Sequence, residues 1–164
     1  MPVLVLPDGE DLAESLAIME WTLGNHDPEG WLPTREAAWR ETRDWIAAND
    51  GDIRFHLDRY KYACRAPGGE SEEHRSLAAA WLQSLDERLA TQPFLAGVGP
   101  GLLDAALAPF VRQFDFADRE WLVEQPWQHL LAWHEAFLDS ACFASVMAKH
   151  AVWAPGDAPV ACEW

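Results

Sequence analysis

The chain has 164 residues, enough for one domain, or one domain plus a fragment of another, with ample material for a core. Its 27 acidic side chains against 12 Lys and Arg give a formal charge of −15, which opposes binding to nucleic-acid phosphates and anionic lipid; no basic run or basic amphipathic helix offsets it. No stretch approaches a membrane span, and Cys64, Cys142 and Cys162 have neither metal-ligand nor redox spacing.

The chain opens on PVLVLPDGEDLAESLAIMEW, residues 2–21. Val3, Leu4, Val5 and Leu6 form a continuous apolar run, the pattern of a strand covered on both faces. Pro7-Asp8-Gly9-Glu10 follows with turn chemistry, since Pro fixes φ and Gly accepts positive φ. A short second strand leads to a helix that begins at Glu14 and Ser15, continues through Leu16, Met19 and Leu23, and stops at Gly24. A hydroxyl and backbone N–H groups at a helix start suit a carboxylate ligand, and a neighbouring Glu suits an ammonium. On spacing alone, a plain cap on a surface helix after a hairpin is the commoner use of the same two residues, since Ser and Glu are frequent at helix starts.

Asn25 to Thr34 (NHDPEGWLPT) reads as a linker. Thr34 is placed to cap the next helix, with Glu36 near its positive end. Ala38, Trp39, Thr42, Trp45, Ile46 and Asn49 recur at helical spacing; Asn49-Asp50-Gly51 interrupts the pattern, and Ile53, Leu57 and Tyr60 resume it to about Ala63. Ala66 to Gly69 is a loop. Ser71, Glu72 and Glu73 start a helix whose apolar stripe is Leu77, Trp81, Leu85 and Leu89. Pro93 and Gly97 to Gly101 mark a turn, and a central helix runs from Leu102 to about Phe116, burying Leu103, Ala106, Leu107, Phe110 and Phe114. Another helix follows Pro126, Ser140 caps a last short one, and residues 154–164 form an irregular tail. His56, His74, His129, His134 and His150 lack the i,i+4 spacing of a helical metal site and read as surface or capping side chains. Ser140 and Ser145 have no nucleophile-elbow context.

Two sets of residues resemble cytosolic glutathione transferases, bacterial members in particular. The first is Pro2, Val3, Leu4, Asp8, Gly9, Glu14, Ser15, Ala17 and Ile18, similar to the second half of the family's thioredoxin-like domain. The second is Phe94, Leu95, Gly97, Asp104, Ala106 and Leu107, similar to the start of the family's central helix, with Gly101 where a capping Ser or Thr is usual. The resemblance runs from Pro2 to Trp153 and implies a mainly α fold: a glutathione-transferase-like helical bundle over 35–153, preceded by a β-hairpin plus helix remnant of a thioredoxin-like domain over 1–24 and a linker over 25–34.

The resemblance also implies a site. Pro2, in a peptide bond for which cis and trans both stay open, and Val3 would pair with the cysteinyl backbone of glutathione, and Glu14 and Ser15 would hold its γ-glutamyl end. Tyr60, Tyr62, Phe110 and Gln113 would line the hydrophobic-substrate site, or else serve as ordinary core aromatics and contacts. Glutathione is the expected co-substrate, with no metal, and a small hydrophobic or thiol-reactive molecule is the second substrate. The family's strand-helix-strand unit with the catalytic Cys, Ser or Tyr has no counterpart here, so the expectation is a chain inactive alone, with no catalytic residue of its own. The expected state is a homodimer or strand-exchanged oligomer in the cytoplasm, without nucleic acid or membrane. A non-catalytic interaction module built on the helical part is the alternative, and an enzyme completed by a complementary fragment is a third.

Overall fold

The computed structural model describes residues 3–63, 70–149, 151, 152 and 154–160. Two short strands, β1 (Leu4–Val5) and β2 (Asp11–Leu12), pair antiparallel with Leu4 opposite Leu12 and Val5 opposite Asp11. The turn between them follows from its residues. Gly9 N–H donates to the Leu6 carbonyl at 2.9 Å, Glu10 N–H donates to Asp8 Oδ1 at 3.1 Å, and Gly9 takes φ +89°, a value that favours glycine. The expectation of a strand covered on both faces is corrected. Val3 and Val5 are 57% and 65% exposed, while Leu4 and Leu6 turn inward, the alternation of a two-stranded ribbon lying on one surface.

Helix α1 (Ser15–Asn25) runs through Gly24, which does not take positive φ, and ends where His26 turns extended. Leu16 and Met19 seat it on the core, and Glu20 pairs with Arg43 of α2 (Glu36–Ala48) at 3.3 Å. The intervening linker is tied by Asp27, whose two carboxylate oxygens accept from Trp31 N–H at 2.8 Å and Leu32 N–H at 2.9 Å. Burial pushes the Asp27 pKa up, but the backbone donors of Leu32, Trp31 and Gly30 outweigh it and hold the carboxyl below its ordinary value. Thr34 does not cap α2. Arg35 occupies the N-cap with extended backbone, and it has no side-chain acceptor to offer.

The interruption predicted at Asn49-Asp50-Gly51 is a widened, π-type turn over Asn49–Ile53, with Gly51 outside helical φ/ψ. It redirects the chain into α3 (Arg54–Ala63), which packs on α4 (Glu70–Leu89). In α4 the buried stripe is Ala78, Trp81, Leu82, Leu85 and Leu89; Leu77 is 49% exposed because it lies at the stripe's edge, where Ala78 takes the inward position.

Helix α5 (Leu102–Ala117) is the centre, as its apolar wealth predicts. Leu103, Leu107, Val111 and Phe114 are almost wholly buried, and α2, α3, α6 (Arg119–Val123) and α7 (Gln128–Leu138) all pack on it. The start of α5 explains the glycine found where a Ser or Thr cap is usual. A Cβ on Gly101 would meet Ala96 Cβ at 2.6 Å and the Trp31 carbonyl oxygen at 3.1 Å. Asp104 supplies the missing acceptor, taking N–H bonds from Gly101 at 3.1 Å, Ala96 at 3.0 Å and Leu95 at 2.8 Å. Ser140 caps α8 (Ala141–Val146) by accepting from Phe143 N–H.

His134 is not a surface or capping residue. It sits 1% exposed on α7, because its place in the 3.6-residue repeat falls beside the buried Trp133 and Leu130. Among the described residues no helix is long and apolar enough to cross a membrane. Pro2, Cys64, His150, Trp153 and Cys162 lie outside the described residues.

Candidate functional site

Where the first turn of α1 meets α3 and α5, a cavity of about 290 Å³ is lined by Ala13, Glu14, Ser15, Arg54, Leu57, Asp58, Phe110 and Gln113. Three separate stretches of sequence converge here. The hairpin and α1 bring Glu14 and Ser15, the redirected chain after the π-type turn brings Arg54, Leu57 and Asp58, and the central helix brings Phe110 and Gln113.

The α1 corner has groups to spare. Glu14 is the N-cap residue with extended backbone (φ −111°, ψ 136°), and its carboxylate makes no capping bond. Ile18 N–H closes the first turn onto the Glu14 carbonyl, so the N–H groups before it have no partner within the helix. The plain-cap explanation of Glu14 would require its side chain to bond those groups, and it does not. What remains is a carboxylate, a hydroxyl and the positive end of an 11-residue helix at the edge of one cavity.

Opposite them, Arg54 and Asp58 stand one turn apart on α3. Neither they nor Glu14 join an ion pair with another described residue, so a ligand would meet both signs of charge. Lys61 of α3 donates from Nζ to Gln113 Oε1 of α5 at 2.8 Å. A lysine can only donate, so the bond fixes the amide with its oxygen toward Lys61 and leaves the NH₂ as the group free to turn to a ligand. Leu57 and the half-buried Phe110 supply the apolar wall.

Of the residues expected at the site, Glu14, Ser15, Phe110 and Gln113 share this cavity. Val3 is exposed on the hairpin and does not line it. Tyr60 does not line it either. Tyr60 is 7% exposed in the core, stacked on Phe114 at 6.2 Å between ring centroids, and burial pushes its phenol pKa up. Tyr62 is half exposed outside the cavity. Pro2 falls outside the described residues.

Arg54 and Asp58 are site residues that the sequence reading does not single out. Their i,i+4 spacing gives one shared face, but the break at Asn49–Ile53 decides where that face points. Cavities of about 340 Å³ and 410 Å³ elsewhere are larger. The first is walled mainly by Trp31, Phe94, Trp133 and Phe137, and the second follows the linker; neither gathers an uncapped acid, a helix N-terminus and an oriented amide.

A sequence profile described as the glutathione S-transferase C-terminal domain matches residues 55–136, half of the chain. The chain belongs to the glutathione S-transferase family. Solved structures agree with that fold. A glutathione S-transferase from Xanthobacter autotrophicus Py2 is 25% identical with a TM-score of 0.70, covering 86% of this chain and 69% of its own. One from Vibrio parahaemolyticus, of class Gtt2, is 18% identical with a TM-score of 0.73, the match covering 88% of this chain and 70% of that one. A glutathione transferase from Burkholderia graminis, solved with two glutathione molecules bound per subunit, is 21% identical with a TM-score of 0.71, covering 85% of this chain and 62% of that one. No curated protein is significantly similar to the chain in sequence. The architecture is therefore a mainly helical glutathione-transferase C-terminal bundle with a two-stranded hairpin before it.

Proposed function

We propose that this glutathione S-transferase family chain binds glutathione in the cavity between α1, α3 and α5, as the binding part of a site for conjugation of electrophiles or for thiol–disulfide exchange. The observation that carries this reading is the uncapped Glu14 carboxylate next to Ser15 and the free N-terminal amides of α1. The γ-glutamyl end of glutathione carries an ammonium and a carboxylate on one carbon. Glu14 would take the first; Ser15 and the α1 amides would take the second. Phe110, Leu57 and the Gln113 amide would face the thiol side and its hydrophobic partner molecule. The bound glutathione in the Burkholderia graminis structure supports the ligand class.

The lining contains no Cys or Tyr, and its one Ser, Ser15, is assigned here to the γ-glutamyl carboxylate, so these residues provide a cradle more readily than a thiol-activating group. We expect binding without turnover from them. The test is calorimetry of γ-Glu-Cys and Cys-Gly against the chain. The γ-glutamyl dipeptide should compete with glutathione and Cys-Gly should not; equal competition by both would reject the assignment of Glu14 and Ser15.

We also propose that a second copy of the chain covers the hairpin. Among the described residues β1 pairs only with β2, and Val3 and Val5 on this hairpin are exposed. This favours self-association over a purely monomeric interaction module, and sedimentation equilibrium decides it: a dimer whose dissociation constant rises with Val5→Lys supports the reading, and a monomer at all concentrations opposes it. The exposed, unpaired thiol of Cys142 fits a reducing compartment, and the cytoplasm is the location we assign.

A further inference from the structure

His56 and His74 are 18 residues apart in sequence, yet the packing of α3 on α4 brings their Nδ1 atoms to 2.8 Å. Both rings are half-buried, and Phe55 stands edge-on to each, at centroid separations of 5.3 Å and 5.9 Å. Two imidazole nitrogens at this distance cannot both carry a proton, because donor would face donor. One Nδ1 donates and the other presents its lone pair. The pair is therefore a preassembled set of imidazole nitrogens with one lone pair already aimed into the gap.

The ring centroids lie 5.1 Å apart. Two imidazoles bound to one tetrahedral ion, with nitrogens at ~2.0–2.1 Å from it, place their ring centres at about 5 Å and their nitrogens at about 3.3 Å. Seating an ion thus requires the rings to swivel and the nitrogens to part by a few tenths of an ångström, with α3 and α4 left where they are. The one Nδ1 proton moves through water to Nε2 of the same ring, so both imidazoles bind in the neutral form.

We propose that His56 and His74 form a two-imidazole site for a transition-metal dication of the zinc type, with water completing the coordination sphere. The formal charge of −15 concentrates dications around the chain. Among the described residues no third His, Cys, Asp or Glu joins the pair, so the site is weaker than a closed structural zinc centre. A bound ion would clamp α3 to α4 and brace the helix whose Arg54, Leu57 and Asp58 line the cavity described above.

The test is a Zn²⁺ titration of the chelator-treated full chain by calorimetry, paired with thermal melts. The wild-type chain and a His129→Ala control should bind one ion and melt at higher temperature with Zn²⁺. His56→Ala and His74→Ala should each weaken binding at least tenfold and abolish the melting shift. His74→Asn keeps a polar partner for His56 without a ligating imidazole; it should fold as the wild type does and still lose the ion. Unchanged Zn²⁺ affinity in His74→Asn and His56→Ala, or no heat with the wild-type chain, would overturn the proposal.

Discussion

The indole of Trp133 donates from Nε1 to Asp104 Oδ1 at 2.8 Å, joining α7 to the start of α5 inside the core. The same carboxylate accepts the backbone N–H groups of Leu95, Ala96 and Gly101, so one side chain organises the turn before α5, its first turn and its contact with α7. Burial is the larger influence on this group and leaves its pKa above the ordinary carboxylate value, with the Trp133, Leu95, Ala96 and Gly101 donors pulling it back. Replacing it with Ala leaves several buried donors unpartnered. Asp104→Ala should cost about 3 kcal/mol or more, read as a lower urea midpoint, while Trp133→Phe, which removes a single donor, should cost about 1–2 kcal/mol. Equal, small losses for the two would contradict the account.

The glycine before α5 gives an unusual sign. Restoring a Ser at the cap position should stabilise a helix by a few tenths of a kcal/mol relative to Gly. Here the added Cβ meets Ala96 Cβ at 2.6 Å, and Leu102 N–H is bonded to the Trp31 carbonyl at 3.0 Å, so the backbone cannot easily retreat. Gly101→Ser should therefore destabilise by about 1–3 kcal/mol through overpacking. A raised melting temperature would show that the turn yields.

His134 makes stability depend on pH. Burial holds its pKa below the ordinary histidine value, and the smaller pull of Asp115, 3.5 Å from Nε2, acts the other way. Neither ring nitrogen has a hydrogen bond among the described residues. The unfolded chain takes up the His134 proton near pH ~6.5, and the folded chain takes it up only at lower pH. The contribution is full above about pH 6.5 and declines as pH falls through the interval below it. The melting temperature should drop more between pH 7.5 and 5.5 in the wild-type chain than in His134→Leu; parallel profiles would exclude His134 as the cause.

The hydrophobic period carried the bundle, and the reasons it failed locally are physical. Ala38, Trp39, Thr42, Trp45, Ile46 and Asn49 all turn inward, as their spacing predicts. The break after Asn49 was visible in Asn-Asp-Gly, but the direction of the following helix was not, and that direction places Arg54 and Asp58 at the cavity. Periodicity cannot separate a strand covered on both faces from a two-stranded ribbon, so Val3 and Val5 read as core although they are exposed. Gly101 read as a missing cap because the crowding by Ala96 and Trp31 is tertiary. The His56–His74 pair was invisible for the same reason: the two residues stand on different helices, 18 positions apart, outside any i,i+4 rule.

The most direct test of the central claim is the binding of glutathione to the intact chain by calorimetry, with Glu14→Gln and Ser15→Ala alongside. Glu14→Gln keeps the shape of the side chain and removes the charge that would face the ammonium. The account predicts one glutathione per chain, with affinity reduced about tenfold in Glu14→Gln, a change of ~1.4 kcal/mol, and reduced also in Ser15→Ala. Affinity identical in all three proteins, or no binding by the wild-type chain, would contradict it.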